Sequence, residues 1–135
     1  MGIKQSVCLP IIQTEMSKDA FLGEIKAIGF RAFEIWERQE DFKQLCDLAH
    51  KHDLVFCSMV GHQALSDGLN NRDNHSRIED ELRENIDLAA ANGLSGLICF
   101  SGNLREGVPP NESKVITAEG LTRVAPYNTP QSMDK

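Results

Sequence analysis

The sequence predicts an α/β fold built on a parallel sheet, and three observations support this prediction. Short apolar runs alternate along the chain with longer segments in which apolar residues recur at helical spacing. Strands that alternate with helices indicate βαβ units and therefore a parallel sheet. The apolar runs are nearly continuous, which is typical of parallel strands buried on both faces. With 135 residues, of which 41% are hydrophobic, the chain is long enough for one domain with a core.

The first two strand–helix units are predicted in the amino-terminal part of the chain. The first strand contains Pro10, which is tolerated only at a sheet edge or a bulge. Ser17 is the expected N-cap of the first helix, and Gly29 is expected to end it. In order, these elements are strand 7–12, helix 17–29, strand 32–36 and helix 41–52.

The last two units contain the longest polar loops of the chain. Loop 63–74 follows the third strand and loop 103–111 follows the fourth, whereas the connections after helices are short. Long loops after strands are typical of a barrel that carries its functional residues at the carboxyl ends of its strands. In order, these elements are strand 54–60, helix 75–92, strand 96–102 and helix 112–127.

The predicted fold class is the N-terminal half, (βα)4, of a (β/α)8 TIM barrel, with parallel strands in sequential order and helices on the outside. Four strands cannot close a barrel, for which eight is the usual number. A doubly wound sheet is the alternative, but the glycine-rich turn that usually follows its first strand is missing. We expect residues 1–127 to form the half-barrel and residues 128–135 to form a divergent, disordered tail.

Composition narrows the classes of partner. The chain carries 20 acidic and 14 basic residues and a net charge of −6, which disfavours nucleic acid because such a partner needs a basic surface. No run of 18 apolar residues occurs, so we expect neither a membrane span nor a membrane partner. The cysteines have neither metal-ligand nor CxxC spacing, so we expect buried thiols in a cytoplasmic protein. They are Cys8, Cys46, Cys57 and Cys99.

Three stretches of the chain together resemble the hydroxypyruvate isomerases and their relatives among the xylose-isomerase-like barrel proteins. These stretches are Phe33–Trp36, Met59–Leu69 and Arg77–Asn103. The resemblance extends from Lys4 to Tyr127, and its most specific part is Ile98–Asn103, placed after the third helix. Beyond Tyr127 the chain departs abruptly from the family pattern.

The resemblance implies an isomerase. Members of this family are (β/α)8 barrels of about twice this length. They interconvert aldose-like and ketose-like compounds, such as hydroxypyruvate and tartronate semialdehyde, by proton transfer through an enediol. A divalent metal is common in the family, but its ligands and the acid–base carboxylates lie at the ends of strands five to eight. We therefore expect this chain to lack the catalytic and metal residues, and the identity of any metal stays open.

Glu34 and Trp36 are the predicted site residues of the second strand. Burying an unpaired charge is costly, so Glu34 requires a partner or a polar cavity, with Arg31 and Arg38 as the less favoured partners. Strand alternation places Trp36 on the same face as Glu34. We predict that Glu34 lines the barrel mouth and that Trp36 forms a wall of the substrate site. Ordinary packing of Trp36 is the alternative.

The loops after the third and fourth strands supply the other predicted substrate-binding residues. By resemblance, His62 faces the substrate and helps to bind or polarise a carbonyl oxygen; a loop histidine hydrogen-bonded to backbone is the alternative. Ser101, Asn103 and Arg105 follow the fourth strand, and an arginine can hold a substrate carboxylate through two hydrogen bonds. The alternative for these loop residues is simple solvation. We expect the remaining histidines, His50, His52 and His75, to lie on the surface.

Two other classes of function are weighed against the isomerase. An open half-barrel exposes strand edges and apolar surface, which favours association. A non-catalytic half-barrel that forms a homo-oligomer, or pairs with a separate C-terminal half, is therefore the alternative function. The related barrel endonucleases that cut at abasic sites carry metal-binding histidines after strands three and four, and Ser101–Asn103 contains no histidine.

Overall fold

The computed structural model describes residues 4–128 and contains the predicted strands and helices in the predicted order. β1 is shorter than predicted because Pro10 has no N–H to donate to a neighbouring strand, and a 3-10 turn, Leu9–Ile11, follows it. β4 also ends early, because the segment after Ile98 bonds to a loop instead of a strand. The elements are β1 Ser6–Cys8, α1 Lys18–Ile28, β2 Ala32–Glu34, α2 Phe42–Lys51, β3 Val55–Val60, α3 His75–Ala91, β4 Gly96–Ile98 and α4 Pro110–Val124.

The four strands form one parallel sheet in the order β1-β2-β3-β4. Each strand therefore pairs with the next strand in the chain, with a helix between them. This is the topology of the amino-terminal half of a (β/α)8 barrel and confirms the predicted fold class. The doubly wound alternative is wrong, because such a sheet reverses its strand order at a switch point.

The core of the sheet is a row of apolar side chains across three strands. Val7 pairs with Phe33, and Phe33 pairs with Phe56. All three are buried, and the rings of Phe33 and Phe56 stack with their centroids 4.7 Å apart. Phe42 of α2 packs against Phe56 at a centroid distance of 5.6 Å, which covers this face of the sheet.

The predicted boundaries of α1 are confirmed. Ser17 caps the helix, with its Oγ accepting a hydrogen bond from the Ala20 backbone N–H at 3.2 Å. Gly29 ends the helix at φ 110°, a left-handed conformation that glycine adopts without steric cost. Asp19 in the first turn binds Lys51 and His52 at the end of α2, each at 2.6 Å, and these hydrogen bonds lower the pKa of Asp19.

The chain divides into two compact units. The first unit contains residues up to Val60 together with Ala89–Leu97, and the second contains Gly61–Leu88 together with the residues from Ile98 onward. In the second unit, the Arg72 guanidinium makes two hydrogen bonds, of 2.7 and 2.9 Å, to the Glu119 carboxylate of α4. The predicted division at residue 127 stays a prediction; Asn128 belongs to a short 3-10 turn, and 129–135 lie outside the described residues.

Two predictions about surface and interior are partly wrong. His50 is exposed as predicted and His52 is partly buried, but His75 is buried because its Nε2 bonds the Leu69 carbonyl at 2.8 Å and Gly120 of α4 packs against it. Of the four cysteines, which are all free thiols, Cys46 is buried, Cys8 and Cys57 are partly buried and Cys99 is exposed. Over residues 4–128, no helix is long and apolar enough to cross a bilayer.

Candidate functional site

The face of the sheet opposite the Phe33 row carries the first group of candidate site residues. Because side chains alternate along a strand, this face holds the row Ser6, Ala32 and Val55 and the row Cys8, Glu34 and Ser58. None of these six residues is buried, and Val55 is 51% exposed. We call Cys8, Glu34 and Ser58 the polar row.

A bulge in β3 creates the polar row. Phe33 pairs with Phe56 but Glu34 pairs with Ser58, so Cys57 is an extra residue in β3. The Cys57 thiol donates a hydrogen bond to the Phe33 carbonyl at 3.1 Å. The bulge therefore places a hydroxyl beside the carboxylate where an unbroken register would place a thiol.

Glu34 has the partner that its position in an apolar strand requires, and that partner is Ser58. The Ser58 Oγ donates a hydrogen bond of 2.8 Å to Glu34 Oε2. Glu34 is partly buried, and the other five residues named on its face of the sheet are partly buried or exposed. Neither Arg31 nor Arg38 is needed to explain how the carboxylate is accommodated. Ser58 is not among the residues predicted from the sequence, because the bulge interrupts the alternation that would reveal it.

Trp36 lies two residues beyond Glu34, and its side chain is 51% exposed. Its backbone carbonyl accepts a hydrogen bond from Val60 N–H at 2.6 Å, so the backbone is fixed while the indole ring stays accessible. This exposure does not fit ordinary core packing. An accessible aromatic ring next to the polar row is available as a wall for a small ligand.

His62 is 2% exposed and has a backbone partner on each ring nitrogen. The Phe100 N–H donates to Nε2 at 2.9 Å, so Nε2 carries no proton. Nδ1 then carries the proton and donates to the Gln63 carbonyl at 3.0 Å. This is the alternative interpretation given above, a loop histidine bonded to backbone. Direct contact of His62 with a substrate remains an untested prediction.

The loop after β3 and the segment after β4 are joined by a set of backbone hydrogen bonds, which we call the loop clasp (residues 66–70 and 100–103). Leu69 N–H donates to the Phe100 carbonyl, Asn70 N–H to the Ser101 carbonyl and Asn103 N–H to the Ser66 carbonyl, at 3.1, 2.8 and 3.0 Å. The Asn70 side-chain amide also donates to the Asn103 carbonyl at 2.5 Å. The clasp fixes the backbone of 100–103 on both sides of Gly102.

Two glycines allow this close approach. A Cβ on Gly68 would lie 2.4 Å from the Gly102 nitrogen and the Phe100 carbonyl oxygen. Gly102 itself has φ 92°, and a Cβ there would lie 2.5 Å from Asn70 Oδ1. A side chain of any size at either position would separate the two segments of the clasp.

Ser101 and Asn103 have exposed side chains on this fixed segment, and the exposed Arg105 follows it by two residues. Their hydroxyl, amide and guanidinium groups can bind hydroxyl, carbonyl and carboxylate oxygens of a small ligand. Glu34 and Trp36 belong to the first unit, whereas His62, Ser101, Asn103 and Arg105 belong to the second. The structure thus groups the predicted residues into two sets, each held by its own unit.

Helix α3 holds the start of the loop that follows β3 through Arg77 and Glu81. Arg77 Nη1 donates to the Gln63 carbonyl at 2.5 Å and to Glu81 Oε1 at 2.8 Å. The Gln63 N–H in turn donates to Glu81 Oε2 at 2.7 Å. The i,i+4 spacing of Arg77 and Glu81 is visible in the sequence, but their common target, a loop peptide, is not. On the same helix, Glu79 and Arg83 form an ion pair at 2.5 Å.

Candidate metal ligands in residues 4–128, the part of the chain that the structure describes, are the His, Cys, Asp and Glu side chains. No three His, Cys, Asp or Glu side chains of this part of the chain lie close enough together to hold a metal ion. The described residues therefore do not fit the divalent metal that is common among the isomerases the sequence resembles, and no chemical step is assigned to one.

A cavity in the first unit lies at the opposite end of the sheet from Glu34. It has a volume of about 780 Å³ and is formed at the amino ends of the strands, with Ile28, Arg31, Asp53 and Val55 among its lining residues. There the Lys26 Nζ donates hydrogen bonds to the backbone carbonyl and to the carboxylate of Asp53, at 2.6 and 2.7 Å. None of the predicted site residues lines this cavity.

Comparisons with known proteins support the fold. No family model matches the chain, and no curated protein matches it either. The crystal structure of protein SMc04130 from Sinorhizobium meliloti 1021 is similar, with a TM-score of 0.64 and 17% sequence identity. The similarity covers 92% of this chain but 46% of that protein. The chain therefore spans about half the length of a structure that shares its fold.

Proposed function

We propose that this chain is the substrate-binding, amino-terminal half of a hydroxypyruvate isomerase-like (β/α)8 barrel. The observation that carries the proposal is the polar row: a partly buried carboxylate, Glu34, held by the Ser58 hydroxyl on a sheet face whose described residues are partly buried or exposed. A carboxylate placed in this way accepts hydrogen bonds from the hydroxyls of a small hydroxy-carbonyl compound. The resemblance described above supplies the substrate class.

Each predicted residue has a role that its chemistry supports. Glu34 Oε1 accepts a hydrogen bond from a substrate hydroxyl, and Trp36 covers one side of the substrate. In the second unit, Arg105 carries a guanidinium suited to a carboxylate such as that of hydroxypyruvate, and Asn103 and Ser101 carry groups suited to hydroxyl and carbonyl oxygens. These are binding roles, and none of these residues is proposed to accept a proton from a carbon atom of the substrate.

The proposed reaction moves protons within one molecule. A proton leaves C3 of hydroxypyruvate, which gives an enediol across C2 and C3 once the C2 oxygen is protonated. A proton then adds to C2 while the C3 hydroxyl loses its own proton, and the product is tartronate semialdehyde. The groups that remove and return the carbon-bound protons belong, in this proposal, to a carboxyl-terminal half. We therefore expect no turnover by the 135-residue chain alone.

Titration of the isotope-labelled chain with hydroxypyruvate, followed by NMR, tests the proposal. We expect shifts at the Glu34 and Asn103 amides, and weaker binding in Glu34→Gln and Arg105→Gln. Glu24→Gln is the matched control, because Glu24 is an exposed carboxylate on α1 away from the polar row. The proposal fails if no amide near these residues shifts at millimolar hydroxypyruvate. Metal-dependent turnover by the chain alone would overturn the assignment of catalysis to a second half.

The second candidate function is that of a non-catalytic half-barrel that associates. It is favoured by the open edges of β1 and β4 in the described sheet and by exposed apolar side chains of the first unit, such as Ile11 and Ile28. Light scattering tests this candidate. A mass of twice 15.0 kDa, with cooperative unfolding, would support closure by a second copy. A well-folded species of 15.0 kDa at all concentrations would rule out self-association.

A further inference from the structure

The protonation state of His62 is fixed by its two partners. An imidazole accepts a hydrogen bond only through an unprotonated nitrogen, and Nε2 accepts from the Phe100 N–H at 2.9 Å. Protonation of His62 would place an N–H on Nε2, facing the N–H of Phe100. It would also bury a charge, since the side chain is 2% exposed. The bond between His62 and Phe100 therefore exists only while the imidazole is neutral.

This bond anchors the segment that carries the proposed binding residues. Phe100 is the first residue of that segment in the loop clasp, and its ring meets the edge of the His62 ring at a centroid distance of 5.7 Å. Ser101, Asn103 and Arg105 follow within five residues. The remaining clasp bonds join the segment to 66–70 and leave the Phe100 N–H without another acceptor among the described contacts.

The charged side chains around His62 are engaged in other contacts, so they do not take over its role in holding Phe100. Arg77 and Glu81 of α3 are engaged with each other and with the Gln63 peptide. The Asp67 carboxylate of the loop accepts from the Asn74 side-chain amide at 2.6 Å. On the other side, Cys99 is the one titratable side chain of 96–103.

The other buried histidine of the second unit, His75, keeps its hydrogen bond when it is protonated. His75 bonds the Leu69 carbonyl through Nε2 at 2.8 Å, so it is the donor in that bond. A protonated imidazole still donates from Nε2, so the bond survives acidification. Only His62 uses a ring nitrogen as an acceptor for the backbone of the clasp.

We infer that His62 is a positioning residue: its neutral imidazole holds Phe100 at the start of the Ser101–Arg105 segment, and its protonation breaks that hold on Phe100. The inference rests on the proposed function for its consequence, namely that small-molecule binding by this segment is weakened when His62 is protonated.

Hydrogen–deuterium exchange of the Phe100 amide tests the inference in the full 135-residue chain. In the wild type, we expect the protection factor, corrected for intrinsic exchange, to fall about tenfold or more between pH 8 and pH 5, the effect of losing one buried hydrogen bond. His62→Gln keeps an acceptor that does not titrate, so protection should stay high at both pH values. His62→Ala should lack protection at both. His50→Gln, at an exposed histidine, should behave like the wild type.

Binding of hydroxypyruvate is then measured by NMR under the same conditions. Loss of the Asn103 and Arg105 shifts at low pH in the wild type, but not in His62→Gln, supports the full inference. Release of Phe100 with no hydroxypyruvate shifts at either pH would keep the clasp mechanism and overturn the proposed function. Unchanged protection at pH 5, with shifts equal at both pH values, would overturn the inference and leave the proposed function standing.

Discussion

Ser58 on β3 donates a hydrogen bond of 2.8 Å to Glu34 on β2, across a pair of strands whose register is broken between them. This contact accommodates a carboxylate in a strand that is otherwise apolar. It also orients the Glu34 carboxylate on the one sheet face that has no buried side chains in the described rows.

Replacing Ser58 by Ala should destabilise the chain, because Glu34 Oε2 loses its donor while staying partly buried. The expected loss is about 1 kcal/mol in the free energy of unfolding, measured by urea denaturation. Ser76→Ala, at an exposed serine of α3, is the control and should change little. Equal effects of the two substitutions would show that the Glu34–Ser58 bond contributes nothing measurable.

Gly102→Ala should disrupt the loop clasp. Gly102 and Gly107 both have positive φ, but a Cβ on Gly102 would meet Asn70 Oδ1 and Gly68 N at 2.5 and 2.7 Å, whereas a Cβ on Gly107 meets nothing within 4 Å. We expect Gly107→Ala to cost about 1 kcal/mol from backbone strain alone. Gly102→Ala should cost about 2 kcal/mol more, from overpacking. Thermal unfolding of both variants measures this difference, and similar melting temperatures would contradict the close approach.

Ser17→Ala should remove the cap of α1. The Ala20 N–H loses its side-chain acceptor, and the expected cost is about 1 kcal/mol in the free energy of unfolding. Ser17→Asp keeps an acceptor and should retain most of the stability. If Ser17→Asp unfolds at the same urea concentration as Ser17→Ala, the hydrogen bond to Ala20 is not the source of the effect.

The Arg72–Glu119 pair should make stability depend on pH in the acid range. Hydrogen bonding to Arg72 lowers the pKa of Glu119 below its ordinary value of 4.5. A carboxyl with a lowered folded-state pKa stabilises the fold fully above 4.5, and this contribution is lost as the pH falls through the folded-state pKa. The melting temperature of the wild type should therefore exceed that of Glu119→Gln at neutral pH, and the difference should shrink below pH 4.5.

The control for that experiment is Glu106→Gln, at an exposed loop carboxylate. Its melting temperature should follow the wild type across the same pH range. A difference between wild type and Glu119→Gln that stays constant down to about pH 3 would show that the carboxylate charge does not contribute.

The order of the elements and the parallel sheet were predictable because they depend on local patterns. Ser17 and Gly29 end α1 where the sequence indicates, and Pro10 explains why β1 stops at Cys8. Such signals act within a few residues of the position that they control. The fold class follows from them without any knowledge of long-range contacts.

The contacts of the candidate site were less predictable because they join distant residues. His62 meets the Phe100 N–H 38 positions later in the chain, and nothing in either residue type indicates that the histidine is the acceptor. Ser58 meets Glu34 only because of the bulge, which has no signature in Val55–Val60. His75 is buried by Gly120 of α4, a packing contact that helical spacing alone does not reveal.

The extra residue in β3 has a consequence for aligning this chain with its relatives. Val55, Phe56, Ser58 and Met59 alternate between the two faces as if Cys57 were absent, with Phe56 and Met59 buried. A relative without the bulge would be one residue shorter at this point. An alignment that admits no gap beside Cys57 would then assign every later position of the strand to the wrong face, and would pair Glu34 with the wrong neighbour.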